Sequence, residues 1–260
     1  MVTGYNANDF ARNAKVKIMV DIDRFELKKD DMKIDYKICC DAKYFVEKLY
    51  FYLKKGKNLT KWIKYCNDLK ERYPIVQKKF FYLKKYVNSY VFVDTLCKHL
   101  KENKTIITDM GFSFTTTHQA FKNKENQILL TNSGHAPMGW GLPAAIGAAC
   151  MGKNFREVIC LTGEGGFQMN IQELATMMHN KIPIKIFIFN NGGYLTIKQT
   201  QQLGFKGRLM GSTKSSGLSF PDYRKIANSH QLNYHLIKNQ DNINDKINKI
   251  LKIKKPLICE

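Results

Sequence analysis

Three segments in the second half of the chain carry residue types that could bind an anion and a metal ion. They are the Gly- and Pro-rich segment 133–143 (SGHAPMGWGLP), the segment 163–167 (GEGGF) and the segment 190–194 (NNGGY). The second segment follows the apolar run VICL after one residue, Thr162, and the third directly follows the mostly apolar run IKIFIF. In parallel α/β sheets, ligands bind in loops at the carboxyl ends of the strands. These three segments are therefore the candidate site.

The glycines of the segment 163–167 indicate a phosphate site. Glycines after a strand allow backbone N–H groups to approach a phosphate, and the N-terminus of a following helix adds a partial positive charge. Gly163, Gly165 and Gly166 have this placement, but Glu164 puts a carboxylate among them. A carboxylate would repel a bare phosphate. A divalent cation between the two groups removes that conflict.

Glu164, Asn191 and Gly193 could bind such a cation. Mg²⁺ binds about six oxygen atoms and often combines protein carboxylates with phosphate oxygens. Glu164 can provide a carboxylate oxygen, Asn191 its amide oxygen and Gly193 its backbone carbonyl oxygen. The alternative is that GEGG and NNGG are only tight turns, and turn statistics favour that interpretation for either motif alone. Their joint occurrence after two strands favours a magnesium–diphosphate site.

The elements that must position these segments alternate between strand and helix. Apolar runs predict strands at residues 105–108, 128–130, 158–161, 184–189, 232–237 and 256–259. Helical spacing predicts helices at residues 142–150, 171–180, 221–230 and 242–253. This alternation predicts an α/β fold, a doubly wound parallel sheet with helices on both faces. Earlier in the chain we expect a strand at 15–22, a helix at 42–53 capped by Asp41, and helical structure from 58 to 103 with a break at Pro74.

The spacing of two motifs resembles the signature of thiamine-diphosphate enzymes, which is GDG, a spacer of under thirty residues and then N or NN. In this chain Glu164 and Asn191 are 27 positions apart. The segments GHAPMGWGLPAAIGAA, GEGGFQMNIQELATM and KIPIKIFIFNNGGY resemble the large subunit of acetolactate synthase and its relatives. Glu164 is a departure, because the family usually has Asp there. Glu keeps the charge and the oxygens but is one methylene longer.

The resemblance implies roles for further residues. The Ala136 carbonyl and the Met138 N–H would hold the aminopyrimidine ring of thiamine diphosphate, and the Met138 side chain would support the bent cofactor. Tyr194 and the glycines of the segment 163–167 complete the implied cofactor-binding set. His135 lies next to this segment and could contact a carboxylate or carbonyl of the substrate. A lone His in a loop is more often only solvated.

The resemblance also implies a domain organisation. Residues 1–55 resemble the end of the family's central domain, residues 56–90 would be a helical linker, and residues 91–260 would be the thiamine-diphosphate domain. The family's catalytic Glu lies on a pyrimidine-binding domain, usually of the neighbouring subunit, which would precede residue 1. We therefore expect no catalytic residue on this chain and no turnover by the chain alone. FAD binding is expected to be weak or absent, because the family's flavin-binding segment also lies mostly before residue 1.

The implied activity is decarboxylation of pyruvate or another 2-keto acid, followed by transfer of the acyl unit to a second carbonyl. The implied partners are a chain or segment that carries the pyrimidine domain and, at full length, further copies in a homo-oligomer. Two alternatives remain open. One is a 2-keto acid decarboxylase or oxidase of the same cofactor family, and the other is a non-catalytic fragment that only binds the cofactor.

Composition and charge argue against several other classes of function. The net charge of +20 suggests nucleic-acid binding, but only six of the 42 basic residues are Arg, and Arg is favoured in base and phosphate recognition. A Lys-rich chain of this kind is typical of solvated helix faces, so we expect no nucleic-acid partner. No apolar stretch reaches 18 residues, so no membrane span is expected. Seven cysteines without a CxxC pair indicate reduced thiols and predict a cytoplasmic location.

Overall fold

The computed structural model describes residues 9–30, 32–53, 58–151 and 157–260. The chain divides into two compact units, Met1–Leu69 and Lys70–Glu260. This division falls inside the predicted linker of residues 56–90. The three predicted domain ranges, 1–55, 56–90 and 91–260, stay predictions.

The first unit contains a small parallel pair of strands. Its elements are β1 (Ile18–Asp21), α1 (Arg24–Lys28), β2 (Tyr36–Cys39), α2 (Ala42–Tyr52) and the larger part of α3 (Thr60–Arg72). Asp41 caps α2, because its side-chain oxygen accepts hydrogen bonds from the N–H groups of Lys43 and Tyr44. The helix predicted after Asp41 is thus confirmed. The strand predicted at 15–22 is shorter than expected, and β2 and α1 were not predicted.

The second unit is built on one parallel sheet of six strands. Its elements are a 3-10 helix (Lys78–Tyr82), α4 (Ser89–His99), β3 (Thr105–Thr108), α5 (Phe112–Ala120), β4 (Ile128–Leu130), α6 (Gly141–Ala149), β5 (Val158–Gly163), α7 (Glu164–Met169), α8 (Glu173–His179), β6 (Ile184–Phe189), α9 (Leu195–Gly204), a 3-10 helix (Lys214–Ser216), α10 (Tyr223–Ser229), β7 (Asn233–His235), α11 (Ile243–Lys252) and β8 (Leu257–Cys259). The strand order is β4-β3-β5-β6-β8-β7, and every pairing is parallel.

Helices cover both faces of this sheet. Side chains alternate along a strand, so Ile159 and Leu161 of β5 pack into one apolar cluster while Val158 and Cys160 pack into another. The first cluster includes residues of α4 and α11, and the second includes residues of α6, α8 and α10. Burial on both faces explains why β5 and β6 are mostly apolar, and the buried Lys185 of β6 is paired with Glu157. The predicted doubly wound α/β fold is confirmed.

Several helices differ from the sequence-based expectation. Residues 58–103 are not continuously helical, because α3 ends at Arg72, close to Pro74, and α4 begins only at Ser89. The helices α5 and α9 were not predicted. The segment 163–167 is not a loop, since Glu164 is already the first residue of α7. Within the described residues, no helix is both long and apolar enough to cross a membrane.

Replacement of Gly147 by alanine is expected to stabilise the chain against unfolding by about 0.5–1 kcal/mol. Gly147 is exposed on α6, and a Cβ atom there would meet no heavy atom within 4 Å. Alanine restricts the unfolded chain more than glycine does, so the helix gains stability without a clash. Chemical denaturation of the parent and the variant measures the difference. A variant less stable than the parent would contradict the helix at this position.

Candidate functional site

The segments that follow β3, β4, β5 and β6 line one cavity. These four strands are consecutive in the sheet, so their carboxyl ends lie at the same edge. The cavity has a volume of about 330 Å³. Its lining includes all of the residues predicted to bind cofactor or metal, which are Ala136, Met138, Gly163, Glu164, Gly165, Gly166, Asn191, Gly193 and Tyr194. His135 is exposed and is not part of the lining.

Glu164 is a buried carboxylate without a cationic partner. Its residue exposure is 1%, and its Oε1 accepts hydrogen bonds of 2.6 Å from the N–H groups of Asn191 and Gly192. Among the ion pairs between described residues, none includes Glu164. Burial raises the pKa of Glu164, and the backbone N–H groups act in the opposite direction. A charge buried in this way requires a cation or further hydrogen bonds.

The segment 190–193 is held from two sides. Glu164 accepts hydrogen bonds from its N–H groups, and on the other side Gly193 forms an antiparallel bridge with Thr213. The N–H of Tyr194 donates to the Ser212 carbonyl over 3.0 Å. Gly193 itself is buried, and a Cβ atom on it would collide with the Ser212 carbonyl oxygen. The position of this turn is therefore fixed relative to β5.

Met138 and Tyr194 converge on Gly165. A Cβ atom on Gly165 would lie 2.8 Å from Met138 Cε and 2.9 Å from Tyr194 Cδ1. Only glycine leaves room for both side chains in this arrangement. The structure thus brings the Met138 thioether from the segment 133–143 next to the backbone that follows Glu164.

Sequence reasoning missed the residues that follow β3. Met110, Gly111, Phe112, Phe114 and Thr115 also line the cavity. Gly111 has φ +86° and precedes α5, whose start has no side-chain cap. The first N–H groups of this helix are therefore free of side-chain caps and suited to an anion. The available signal was a glycine directly after the strand TIIT and the dipeptide Asp-Met.

A second, larger cavity of about 740 Å³ adjoins the site. Its lining is mostly aromatic and aliphatic, and Asn191 is the single predicted site residue that it shares with the smaller cavity. The smaller cavity holds the carboxylate, the glycines and the amide together. It is therefore the candidate site.

Glycine-rich segments and a buried carboxylate at adjacent strand ends of a doubly wound sheet define a class of protein that binds a phosphate-bearing cofactor. A family model described as "Thiamine pyrophosphate enzyme, C-terminal TPP binding domain" matches residues 109–260. The chain belongs to this family of thiamine pyrophosphate enzymes. The match confirms the resemblance found in the motifs, and it confirms thiamine diphosphate as the cofactor of this domain.

Individual relatives are named as acetolactate synthases. The chain is 32% identical to the probable acetolactate synthase large subunit of Methanococcus aeolicus, over 100% of this chain and 44% of that protein. It is 32% identical to the acetolactate synthase large subunit of Cyanidium caldarium, over 100% of this chain and 43% of that protein. For isozyme 1 of Escherichia coli K12 the identity is 32%, over 81% of this chain and 36% of that protein. The chain spans less than half the length of these curated relatives.

Proposed function

We propose that this chain binds thiamine diphosphate through Mg²⁺ in the 330 Å³ cavity and is the cofactor-binding part of an acetolactate synthase-like enzyme. Such an enzyme decarboxylates pyruvate or another 2-keto acid and joins the acyl unit to a second carbonyl. The observation that carries the proposal is the buried Glu164 carboxylate, which lines the cavity with Asn191 and Gly193 and forms no ion pair with any residue that the structure describes.

The donor set fits a hard divalent cation. One carboxylate oxygen, one amide oxygen and one backbone carbonyl oxygen are ligands that Mg²⁺ accepts, and phosphate oxygens commonly complete its shell. Because Glu164 Oε1 already accepts two N–H groups, we assign Oε2 to the metal. Asn191 is exposed at the cavity, so its amide oxygen can reach the same ion.

The other residues that line the cavity would bind different parts of the cofactor. Gly163 leaves open backbone for the diphosphate, since a Cβ atom there would meet no heavy atom within 4 Å, while Gly165 and Gly166 line the same part of the cavity. The uncapped start of α5 adds N–H donors. Ala136 and Met138 would hold the aminopyrimidine ring through the carbonyl of the first and the N–H of the second. Tyr194 would close the cavity on the side of α9.

When bound, thiamine diphosphate would supply a nucleophilic carbon atom and an electron sink for the C–C bond pair that remains when CO2 leaves a 2-keto acid. The chain's own residues bind and orient the cofactor. For the whole enzyme we propose a pyrimidine-domain-bearing chain or segment as partner, with assembly into a homo-oligomer. That partner would provide the carboxylate that exchanges a proton with the aminopyrimidine.

Isothermal titration of the purified chain with thiamine diphosphate tests this function. In the presence of Mg²⁺ we expect saturable binding of one cofactor per chain. Removal of the metal with EDTA should lower the affinity by about 100-fold, since a shared metal contributes several kcal/mol. Thiamine monophosphate, which lacks the second phosphate, should bind more weakly and serves as the control. Absence of binding, or binding that EDTA does not change, would contradict the proposal.

A further inference from the structure

Asp109 lies where three parts of the candidate site meet. It directly follows β3, and its backbone N–H donates to the Leu161 carbonyl of β5 over 2.8 Å. The residue is 1% exposed, and among the described residues it belongs to no ion pair. A carboxylate buried in this way needs hydrogen-bond donors to offset its lost hydration.

Four donors surround the Asp109 carboxylate. Oδ1 accepts from the N–H of Met110 over 2.7 Å and from the N–H of Gly139 over 3.1 Å. Oδ2 accepts from the N–H of Gly141 over 3.3 Å and from the hydroxyl of Thr162 over 3.2 Å. These donors come from the turn before α5, from the segment 133–143 and from β5. One side chain thus connects three pieces of chain that are far apart in sequence.

Glycines allow these pieces to pack directly against the carboxylate. A Cβ atom on Gly141 would lie 2.8 Å from Asp109 Cβ, and one on Gly166 would lie 2.8 Å from Asp109 Cγ. The Gly139 carbonyl is held as well, since it accepts a hydrogen bond of 2.7 Å from Asn170 Nδ2. The backbone immediately after Met138 is therefore fixed at both its N–H and its carbonyl.

We propose that Asp109 is a positioning residue for the cofactor's aminopyrimidine. Its carboxylate holds Gly139 and Gly141, and through them the neighbouring Met138, against the strand end that carries Glu164. This inference rests on the proposed function, because the segment 136–138 has a pyrimidine to hold only if the cavity binds thiamine diphosphate. Asp109 touches neither the metal nor the diphosphate in this assignment. We expect its effect to be largest at the pyrimidine end of the cofactor, because two of its donors, the N–H groups of Gly139 and Gly141, lie beside Met138.

Asp109→Asn tests the assignment, because the amide keeps the shape but turns an NH₂ group toward N–H donors. We expect the affinity for thiamine diphosphate with Mg²⁺ to fall about tenfold or more, the usual effect of unsatisfied buried donors. The affinity for inorganic pyrophosphate with Mg²⁺ should fall much less, since pyrophosphate has no pyrimidine. Titration calorimetry measures both. Amide hydrogen exchange at Gly139 and Gly141 should accelerate in the same variant.

Two further variants complete the experiment. Thr162→Val removes one of the four donors without a change in shape. We expect a smaller loss of affinity for thiamine diphosphate, which again exceeds any loss for pyrophosphate. If Asp109→Asn does not fold, this variant tests the positioning role. Asp94→Asn is the matched control. Asp94 is also buried, but it forms ion pairs with Lys98 on α4 and with Lys122, which follows α5. Both of its affinities should equal those of the parent.

The outcomes separate the two proposals. If the parent binds neither thiamine diphosphate nor pyrophosphate, the proposed function is wrong, and the proposed role of Asp109 is wrong as well. If the parent binds both, but Asp109→Asn and Thr162→Val weaken both equally, Asp109 only supports the fold. If the parent binds both and neither variant loses affinity for thiamine diphosphate, the positioning role is wrong while the proposed function stands.

Discussion

Glu164→Ala is expected to lower the affinity for thiamine diphosphate in the presence of Mg²⁺ by about 100-fold or more, since a metal ligand contributes several kcal/mol. Without the carboxylate, Asn191 and Gly193 are the remaining protein ligands that we assign to the ion. The N–H groups of Asn191 and Gly192 also lose the Glu164 acceptor, so the turn is held only from the side of Ser212 and Thr213. Isothermal titration with Mg²⁺, and again with EDTA, measures the loss.

The same substitution should leave the fold intact. Glu164 is buried and desolvation raises its pKa, so removal of the carboxylate relieves a desolvation cost, which opposes the loss of the two hydrogen bonds. We expect thermal unfolding of the metal-free variant at or slightly above the parent's temperature. Glu164→Asp is the matched control and should retain binding, because it keeps the charge. Equal affinities for the parent and Glu164→Ala would contradict the metal assignment and leave Glu164 only the role of a hydrogen-bond acceptor for the segment 190–193.

Gly193→Ala is expected to damage both stability and cofactor binding. Its Cβ atom would collide with the backbone carbonyl of Ser212, which cannot rotate away as a side chain could. Steric insertions of this kind destabilise proteins by about 1–3 kcal/mol. Relief of the clash requires the turn 190–193 to move, which displaces Asn191 and the Gly193 carbonyl from the ion. Affinity for the cofactor with Mg²⁺ should therefore fall by about tenfold or more.

Chemical denaturation and titration calorimetry measure the two effects of Gly193→Ala. Gly204→Ala is the matched control, because Gly204 is exposed at the end of α9 and a Cβ atom there would meet nothing within 4 Å. It should change neither quantity substantially. Parent-like stability and affinity in Gly193→Ala would show that the turn tolerates displacement, and the carbonyl of Gly193 would no longer be supported as a ligand.

The residues at the strand ends were predictable because their signal is local. Glu164 and Asn191 each come shortly after a mostly apolar run, and strands buried on both faces produce such runs. Because β5 and β6 pair directly and in parallel, the two motifs lie at the same edge of the sheet. Similarly, Asp41 directly precedes an amphipathic stretch and caps a helix in the structure.

Other parts of the site depend on contacts that sequence reasoning could not see. Helix α5 (FSFTTTHQA) contains three Thr residues, which have low helix propensity and hide the start of the helix at Gly111. The donors to Asp109 include Gly139 and Thr162, which lie 30 and 53 positions away. Tertiary packing alone brings them to one carboxylate. The strand order of the sheet is decided by the same long-range packing.

The most direct test of the account is a crystal structure of the chain with thiamine diphosphate and Mn²⁺ in place of Mg²⁺. Mn²⁺ accepts the same oxygen ligands, and its anomalous scattering locates the ion independently of the protein coordinates. The account predicts one metal peak in the 330 Å³ cavity, bound by the Glu164 carboxylate, the Asn191 amide oxygen, the Gly193 carbonyl and two oxygens of the diphosphate. A cofactor bound elsewhere, or a metal ion that does not contact Glu164, would contradict it.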